Sequence, residues 1–486
     1  MLIGIDVGTQ SLKAVVTDHE LDVKVTASQH YQPSFPQLNH AEQDPRIWER
    51  ALGPAIAEAL DASGVRASQI AAVGLCGQLD GCIPVDRDGA PQGNCLIWMD
   101  RRAVQEFDNV ALDHLHKVTG IVADASHLAA KIRWLKRHRK QSGSRLRYHQ
   151  PVSYMVERLT KCSVIDHALA STSMVYGLKA RRYDEKLLAA FEILEGELAP
   201  IAEAHDCAGK LSRHGSELTG LPTEIPVAVG TGDDFSTVLG AGLSAQGQVS
   251  VAVGTGEVVG SIFTEPIIDE GKLVETHAYP GGGYFIENPG WLSGGSVKWL
   301  STLLNIGSWE AFDALASKAP AGSEGIIFIP ALTGAMSPEW IPGVKGCFYG
   351  LTPAHNATHM TRAVLEGCSF AMRDVIDRLR SLGARPSSIT FLAGGSHSEL
   401  WGQIRSDVSG LPLSLPRHNH TSPLGAAMLA GVAGQIFSRL ADAAAFLPLP
   451  LRQLQPNPTA STRLEQFYQN YRRLFEALKP LAYEHA

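Results

Sequence analysis

The stretch MLIGIDVGTQSLKAVVTD, residues 1–18, reads as an apolar strand, a turn of Gly8, Thr9, Gln10 and Ser11, and a second strand. Asp6 closes the first strand just before a glycine and small hydroxylic residues. An ordinary β-turn accounts for the glycine. A turn that offers backbone N–H groups and hydroxyls beside an acid also suits a phosphate with a metal next to it. The same plan returns in QVSVAVGTGEVVGSIFT, residues 248–264, where V-G-T again links two apolar strands. An echo roughly 250 residues away marks a duplicated unit. The small, glycine-rich GAGLSAQGQ, residues 240–248, suits a boundary, so the chain divides into 1–245 and 246–486.

Between and after the two echoes, strands alternate with helices, which makes this an α/β protein. In AEQDPRIWERALGPAIAEAL (41–60), Asp44 caps a helix that starts at Pro45. IAAVGLCGQLDG (70–81) is a buried strand ending in a polar turn, and LIWMDRR (96–102) is a shorter one. IPVAVGTGDDFSTVLGAG (225–242) is a strand, a turn with two acids, and a small-residue helix. Apolar residues from Val364 to Leu379 recur at helical spacing. SSITFLAGGSHSELWGQIRSDVSG (387–410) is strand, glycine pair and helix, SPLGAAMLAGVAG (422–434) is a close-packing helix, and YPGGGY (279–284) is a hairpin connection.

Composition narrows the function classes. The 486 residues suffice for two sizeable domains, and 44% hydrophobic with 19% charged residues is ordinary for a globular protein. A net charge of −7 argues against a nucleic-acid partner. The basic stretch KIRWLKRHRKQSGSRLRYH (131–149) is read as a helix packed through Ile132, Trp134 and Leu135, its charges forming a solvated face and loop. Seven scattered cysteines without CxxC spacing point to a reducing compartment, with Cys76 and Cys82 as packing residues. No signal peptide or apolar run of membrane-spanning length is visible, so a cytoplasmic protein is expected. His418 and His420 resemble half a metal site but lack a nearby partner and read as a loop.

There is no P-loop, and three residues separate Gly256 from Gly260 where a dinucleotide fingerprint has two. Instead four strand ends carry polar glycine turns: Gly8-Thr9, Gly230-Thr231-Gly232, Gly254-Thr255-Gly256 and Gly394-Gly395-Ser396. Asp6, Asp233 and Asp234 lie in or beside them. Phosphoryl transfer asks two things of carboxylates: one helps hold Mg²⁺, and one accepts the proton of the attacking hydroxyl. Asp233 and Asp234 are neighbours, so on an extended segment they point opposite ways.

These motifs resemble the FGGY family of carbohydrate kinases, and within it the xylulose kinases. The resemblance rests on GIDVGTQSLKA, EQDPRIW, GQLDG, WMDRR, AAKIRWLKRH, GTGDDFS, AVGTGEV, GGSVKWL, KGCFYGLTPAH, RAVLEG, AGGSHSELW and SPLGAAMLA, in family order along nearly the whole chain. It implies two actin-like (ribonuclease H-like) domains with the active site in the cleft between them, and ATP and Mg²⁺ as cofactors. By the same resemblance, Asp6 orients the Mg²⁺–nucleotide and Asp233 is the catalytic base, both close to the metal. Gly8, Thr9, Gln10 and Ser11 match the first phosphate turn, and Gly254, Thr255 and Gly256 the second. Gly394, Gly395 and Ser396, with Ser398, match the loop under the adenosine, and Trp299 a tryptophan near the nucleotide. Gln78, Leu79 and Asp80 match the sugar turn, with Trp98, Asp100 and Asp234 as further sugar contacts. The implied partners are a small sugar and ATP, with no nucleic acid or membrane, and a homodimer is the expected assembly.

The departures bear on the substrate. Xylulose kinases usually have a histidine where this chain has Asp80, an asparagine where it has Asp234, and W-N-D where it has WMDRR. Ionised carboxylates only accept hydrogen bonds and can grip two adjacent hydroxyls. D-xylulose is the expected acceptor, with ribulose, ribitol, erythritol or glycerol as alternatives. An actin-like ATPase without an acceptor would have no use for GQLDG, WMDRR and the paired acids, and a NAD-dependent oxidoreductase would need the missing fingerprint.

Overall fold

The computed structural model describes residues 1–138, 146–243, 245–418 and 420–483. Its first sheet runs, from edge to edge, through Cys207–Lys210, Pro226–Ala228, Ala72–Gly77, Leu2–Val7, Ser11–Thr17 and Val23–His30. The second runs through Arg452–Leu454, Leu413–Leu415, Ser388–Leu392, Gln248–Val253, Glu257–Phe263, Gly283–Trp291 and the edge strand Glu275–Tyr279. Position for position the first six strands match. In each sheet a central strand pairs antiparallel with its own hairpin partner and parallel with a later strand, Ala72–Gly77 or Ser388–Leu392. The echo of V-G-T is therefore a structural repeat, and each repeated turn sits at the carboxyl end of a central strand.

Local signals place the flanking helices. Asp44 Oδ1 accepts from the Arg46 N–H at 3.0 Å at the start of the helix Arg46–Ser63, which ends where Gly64 takes φ +67°. Its buried face (Trp48, Leu52, Ala55, Ile56, Ala59) covers the first sheet's hairpin. YPGGGY does connect two antiparallel strands.

The helix Thr421–Ala433 follows all but the last strand of the second sheet in the chain, yet packs on the first sheet and on the helix Asp233–Gly240. Small residues allow backbone to meet backbone. A Cβ on Gly4 would lie 1.8 Å from the Pro423 carbonyl oxygen, and one on Gly74 1.9 Å from that of Ala426. Both contacts are closer than any side chain tolerates, so both positions require glycine.

The basic segment departs from expectation. In the helix Leu128–His138 the side chain of Lys131 is wholly buried and Arg133 nearly so. Lys131 Nζ donates to the carbonyls of Asp80 and Ile97 at 2.7 and 2.8 Å, and Arg133 Nη1 to those of Glu106 and Asp108 at 2.8 and 2.9 Å. Lys131 and Arg133 are turned inward because loop carbonyls need these donors, while Arg137 and His138 stay on the solvated face as expected. Residues 139–145 lie outside the described residues. All seven cysteines are free. Among the described residues no helix is long and apolar enough to cross a membrane.

Gly74→Ala should lower stability by about 1–3 kcal/mol by forcing the Thr421–Ala433 helix off the sheet. The urea midpoint checks this, and an unchanged midpoint would contradict the close contact.

Candidate active site

Two cavities meet between the sheets. The larger, about 770 Å³, is lined from the first domain by Thr9, Gln78, Leu79, Asp80, Trp98 and His127, among others, and from the second by Gly254, Gly256, Glu275, His277 and Glu287. The smaller, about 220 Å³, is lined by Asp6, Lys13, Ala393, His420 and Ser422. Asp233 and Asp234 line both. These two acids open the helix Asp233–Gly240, where the Asp234 N–H donates to Asp233 Oδ1 at 3.2 Å. The expectation of an extended segment with opposed side chains is corrected: in a helical first turn both acids reach the junction of the cavities.

The junction is rich in acid and poor in cations. Asp6 is buried, with Oδ2 3.6 Å from Lys13 Nζ and Oδ1 without a hydrogen-bond partner. Burial raises its proton affinity, against the pull of Lys13. Burial, then the charges of Asp234 and Asp6, lifts Asp233 well above the ordinary carboxylate range. Asp234 is pushed up to about 6, by burial and then by Asp80 and Asp6. Among the described residues no group of three His, Cys, Asp or Glu side chains is arranged to hold a metal ion. Mg²⁺ does not require one, since it binds through one or two carboxylates plus phosphate and water oxygens. The unpartnered buried oxygen of Asp6 beside Asp233 fits that mode.

A polar network braces the turn of Gly8 to Ser11 and the turn of Gln78, Leu79 and Asp80. The Thr9 hydroxyl accepts from Trp98 Nε1 at 3.0 Å, Gln43 Nε2 donates to the Thr9 carbonyl at 2.7 Å, and Gln78 Nε2 donates to Gln43 Oε1 at 2.8 Å. Gly8 N–H closes the hairpin on the Ser11 carbonyl, as Gly254 N–H does on that of Gly256. Glu257, next after the second turn, is fully buried against Arg405 in a two-pronged ion pair of 2.5 and 2.6 Å. Arg405 in turn lies over the rings of Trp401 and Phe391. That fork fixes the turn from behind.

Asp80 sits at φ +56°, held by the Gln150 side chain accepting its N–H at 2.9 Å and by Lys131 on its carbonyl. Its Oδ2 meets His127 Nδ1 at 3.0 Å. Burial alone would push the Asp80 carboxyl up, but the charge and hydrogen bond of His127, together with the Lys131 charge, outweigh it and hold Asp80 below its usual range. Burial likewise opposes the charge on His127, and Asp80 outweighs it, raising His127 to about 9.

Other expected site residues lie elsewhere. Asp100 is fully buried and turned away: its carboxylate accepts from the Ala41 N–H at 2.7 Å and pairs with Arg102 at 2.7 Å, so it holds loops together and contacts no acceptor. Ser398 is buried, and its hydroxyl caps the helix Glu399–Ser409 by accepting from the Trp401 N–H at 3.0 Å. Thr231 is buried and donates to Asp166 at 2.8 Å, which leaves that glycine turn without a hydroxyl for phosphate. Gln10, Ser11 and Thr255 flank the cavities, while Ala393, next to Gly394, Gly395 and Ser396, lines both. Trp299 is half-exposed and stacks on Phe348, away from both cavities. His420 lines the smaller cavity without a metal cluster around it.

Lys13, His127, Glu275, His277 and Glu287 were not foreseen. Hairpin register held a signal for the first, since Lys13 is the cross-strand partner of Asp6. For the acids of the far wall the register across YPGGGY held one as well, for Glu275 pairs with Glu287.

Comparison with known proteins agrees with this geometry. The FGGY family of carbohydrate kinases matches through its N-terminal domain at residues 1–240 and its C-terminal domain at residues 249–434. This chain belongs to the FGGY carbohydrate kinases. It is 27% identical to the xylulose kinase of Escherichia coli (strain K12), over 99% of this chain and 100% of that enzyme. It is 30% identical to the glycerol kinase of Rhodospirillum rubrum, over 91% and 92% of the two chains. The crystal structure of xylulose kinase from Rhodospirillum rubrum superposes with a TM-score of 0.91 at 26% identity, covering 99% of each chain. As a member of the FGGY family the chain is an ATP-using sugar kinase with the two-domain actin-like fold.

The ion pair of His127 gives a pH prediction. Because His127 is raised from 6.5 to about 9, its contribution to stability is complete below pH 6.5 and is lost as pH rises towards 9. Unfolding free energy should fall by on the order of 1–3 kcal/mol across that window, and His127→Gln should remove this part of the slope. Denaturant titrations at pH 6 and pH 9 test it. Equal slopes in both proteins would refute the pairing.

Proposed function

We propose that this kinase transfers the γ-phosphoryl group of ATP to the terminal hydroxyl of D-xylulose, giving D-xylulose 5-phosphate. The observation that carries the reading is that Asp233 lines both cavities, so one carboxylate faces the space for an acceptor and the space beside Asp6 and Lys13. Its raised proton affinity makes it a stronger base than an exposed aspartate. Asp233 takes the acceptor's hydroxyl proton. The oxygen bonds to the γ-phosphorus as the bond to the β–γ bridging oxygen breaks, and ADP departs. The two V-G-T turns offer backbone donors to the phosphates from opposite lobes. Asp6 and Asp233 are the residues that would hold Mg²⁺, which when bound neutralises charge on the transferring group. The free cysteines support a reducing compartment such as the cytoplasm.

A second reading, another ketopentose or a short polyol, is favoured by one observation. Asp80 presents a carboxylate held by His127, where the xylulose kinases that the sequence resembles present a histidine. Similar identity to xylulose and glycerol kinases also keeps this reading in play.

In a coupled ADP-release assay, Asp233→Asn should reduce kcat by at least about 100-fold while calorimetry shows ATP still bound. Near-normal turnover would remove Asp233 from its role. Across pentuloses, pentitols, tetritols and glycerol, Asp80→His should change the order of preference, and an unchanged order would discard the second reading.

A further inference from the structure

The far wall of the larger cavity is unusual as a piece of β-sheet. Glu275 and Glu287 are direct cross-strand partners, and His277 lies two residues along on the same face as Glu275. Opposed like charges weaken a sheet. All three side chains are more than nine-tenths buried and line the cavity. Sheet stability does not call for this arrangement.

Their hydrogen bonds differ. Glu275 Oε1 accepts from the Val122 N–H of the first domain at 2.8 Å, so Glu275 has a structural partner. The same edge strand is tied to the first domain by the Thr276 N–H on the Gly120 carbonyl at 3.0 Å and the Ala278 N–H on the Ser171 hydroxyl at 3.1 Å. The wall is thus fixed to the domain that carries Asp80. Glu287 has no such donor: Oε2 is buried without a partner, and Oε1 stands 3.6 Å from His277 Nε2. His277 Nδ1 is also buried and unpartnered. A buried polar atom left without a partner is unfavourable, so a ligand that supplies one is favoured.

Resting on the reading of the larger cavity as the acceptor site, we infer that Glu287 is a specificity-determining residue: its carboxyl, beside His277, hydrogen-bonds a hydroxyl of a neutral polyhydroxy acceptor other than the one that Asp233 deprotonates. Burial and the neighbouring Asp234, Glu275 and Asp233 charges raise Glu287 well above its ordinary range, and burial with the His127 charge lowers His277 to about 4. A protonated Glu287 both donates and accepts, which matches an alcohol. The acid-rich wall disfavours acceptors that carry a carboxylate.

The test uses the full-length enzyme, Glu287→Gln and Glu287→Leu, with the same panel of pentuloses, pentitols, tetritols and glycerol, plus an aldonate. In Glu287→Leu the acceptor KM should rise by about 100-fold, while the KM for ATP stays within about twofold and the melting temperature holds or rises. Glu287→Gln, which keeps a donor and an acceptor, should restore the acceptor KM to within about tenfold of the wild type. An acceptor KM unchanged in Glu287→Leu, or a loss shared equally by ATP and acceptor, overturns the assignment. If the wild type phosphorylates no neutral compound of the panel, the reading of the acceptor site falls, and this inference with it.

Discussion

Acidic side chains crowded into one cleft are the constraint on which the rest of this structure depends. Asp6, Asp233 and Asp234 converge in the smaller cavity with Lys13 and His420 as the basic neighbours among the described residues. Burial above all, and for Asp233 and Asp234 the neighbouring carboxylate charges as well, makes each hold its proton more tightly than an exposed acid does. Such a site is incomplete by design. It gains most from a ligand that carries both a cation and hydroxyl groups, which is what a metal–nucleotide and a sugar supply together. The duplicated architecture follows from the same need, since two like turns at the ends of two like central strands can approach a triphosphate from both sides.

The braces behind the site are as specific as the site itself. The Glu257–Arg405 pair is wholly buried, and removing one member would strand the other's charge, which typically costs about 3–5 kcal/mol. It stands directly behind the second V-G-T turn, so backbone that must meet phosphate is set by an ion pair that never touches it. On the other side, Lys131 and His127, one helical turn apart, hold the carbonyl and the carboxylate of Asp80. A buried lysine is thus an orienting element for the turn of Gln78, Leu79 and Asp80, and it gives the basic segment a reason for its composition.

Much of this was legible in the sequence. Strand-and-turn repetition gave away the two domains, and the glycine turns after Asp6 and Val253 do close hairpins at the ends of matching central strands. What escaped was tertiary. Asp100 and Ser398 carry chemistry-bearing groups, yet local backbone donors at Ala41 and Trp401 claim them. Lys131 and Arg133 have the composition of a solvated face, and only the loop carbonyls packed against them turn them inward. Glu275, His277 and Glu287 stand on strands of the second domain, far in sequence from GQLDG, and only the meeting of the two sheets brings them to one cavity.

The docking of Thr421–Ala433 has a consequence for how the molecule is put together. Chain order suggests two modules in series, but the floor of the first is laid by a segment synthesised after most of the second. A fragment ending at residue 245 would leave Gly4 and Gly74 bare to water along with the alanine-sized groove they define, and the remainder would carry an apolar helix with nowhere to rest. The two lobes are therefore interlocked like clasped hands, and neither can finish folding until the ribosome has released the clasp.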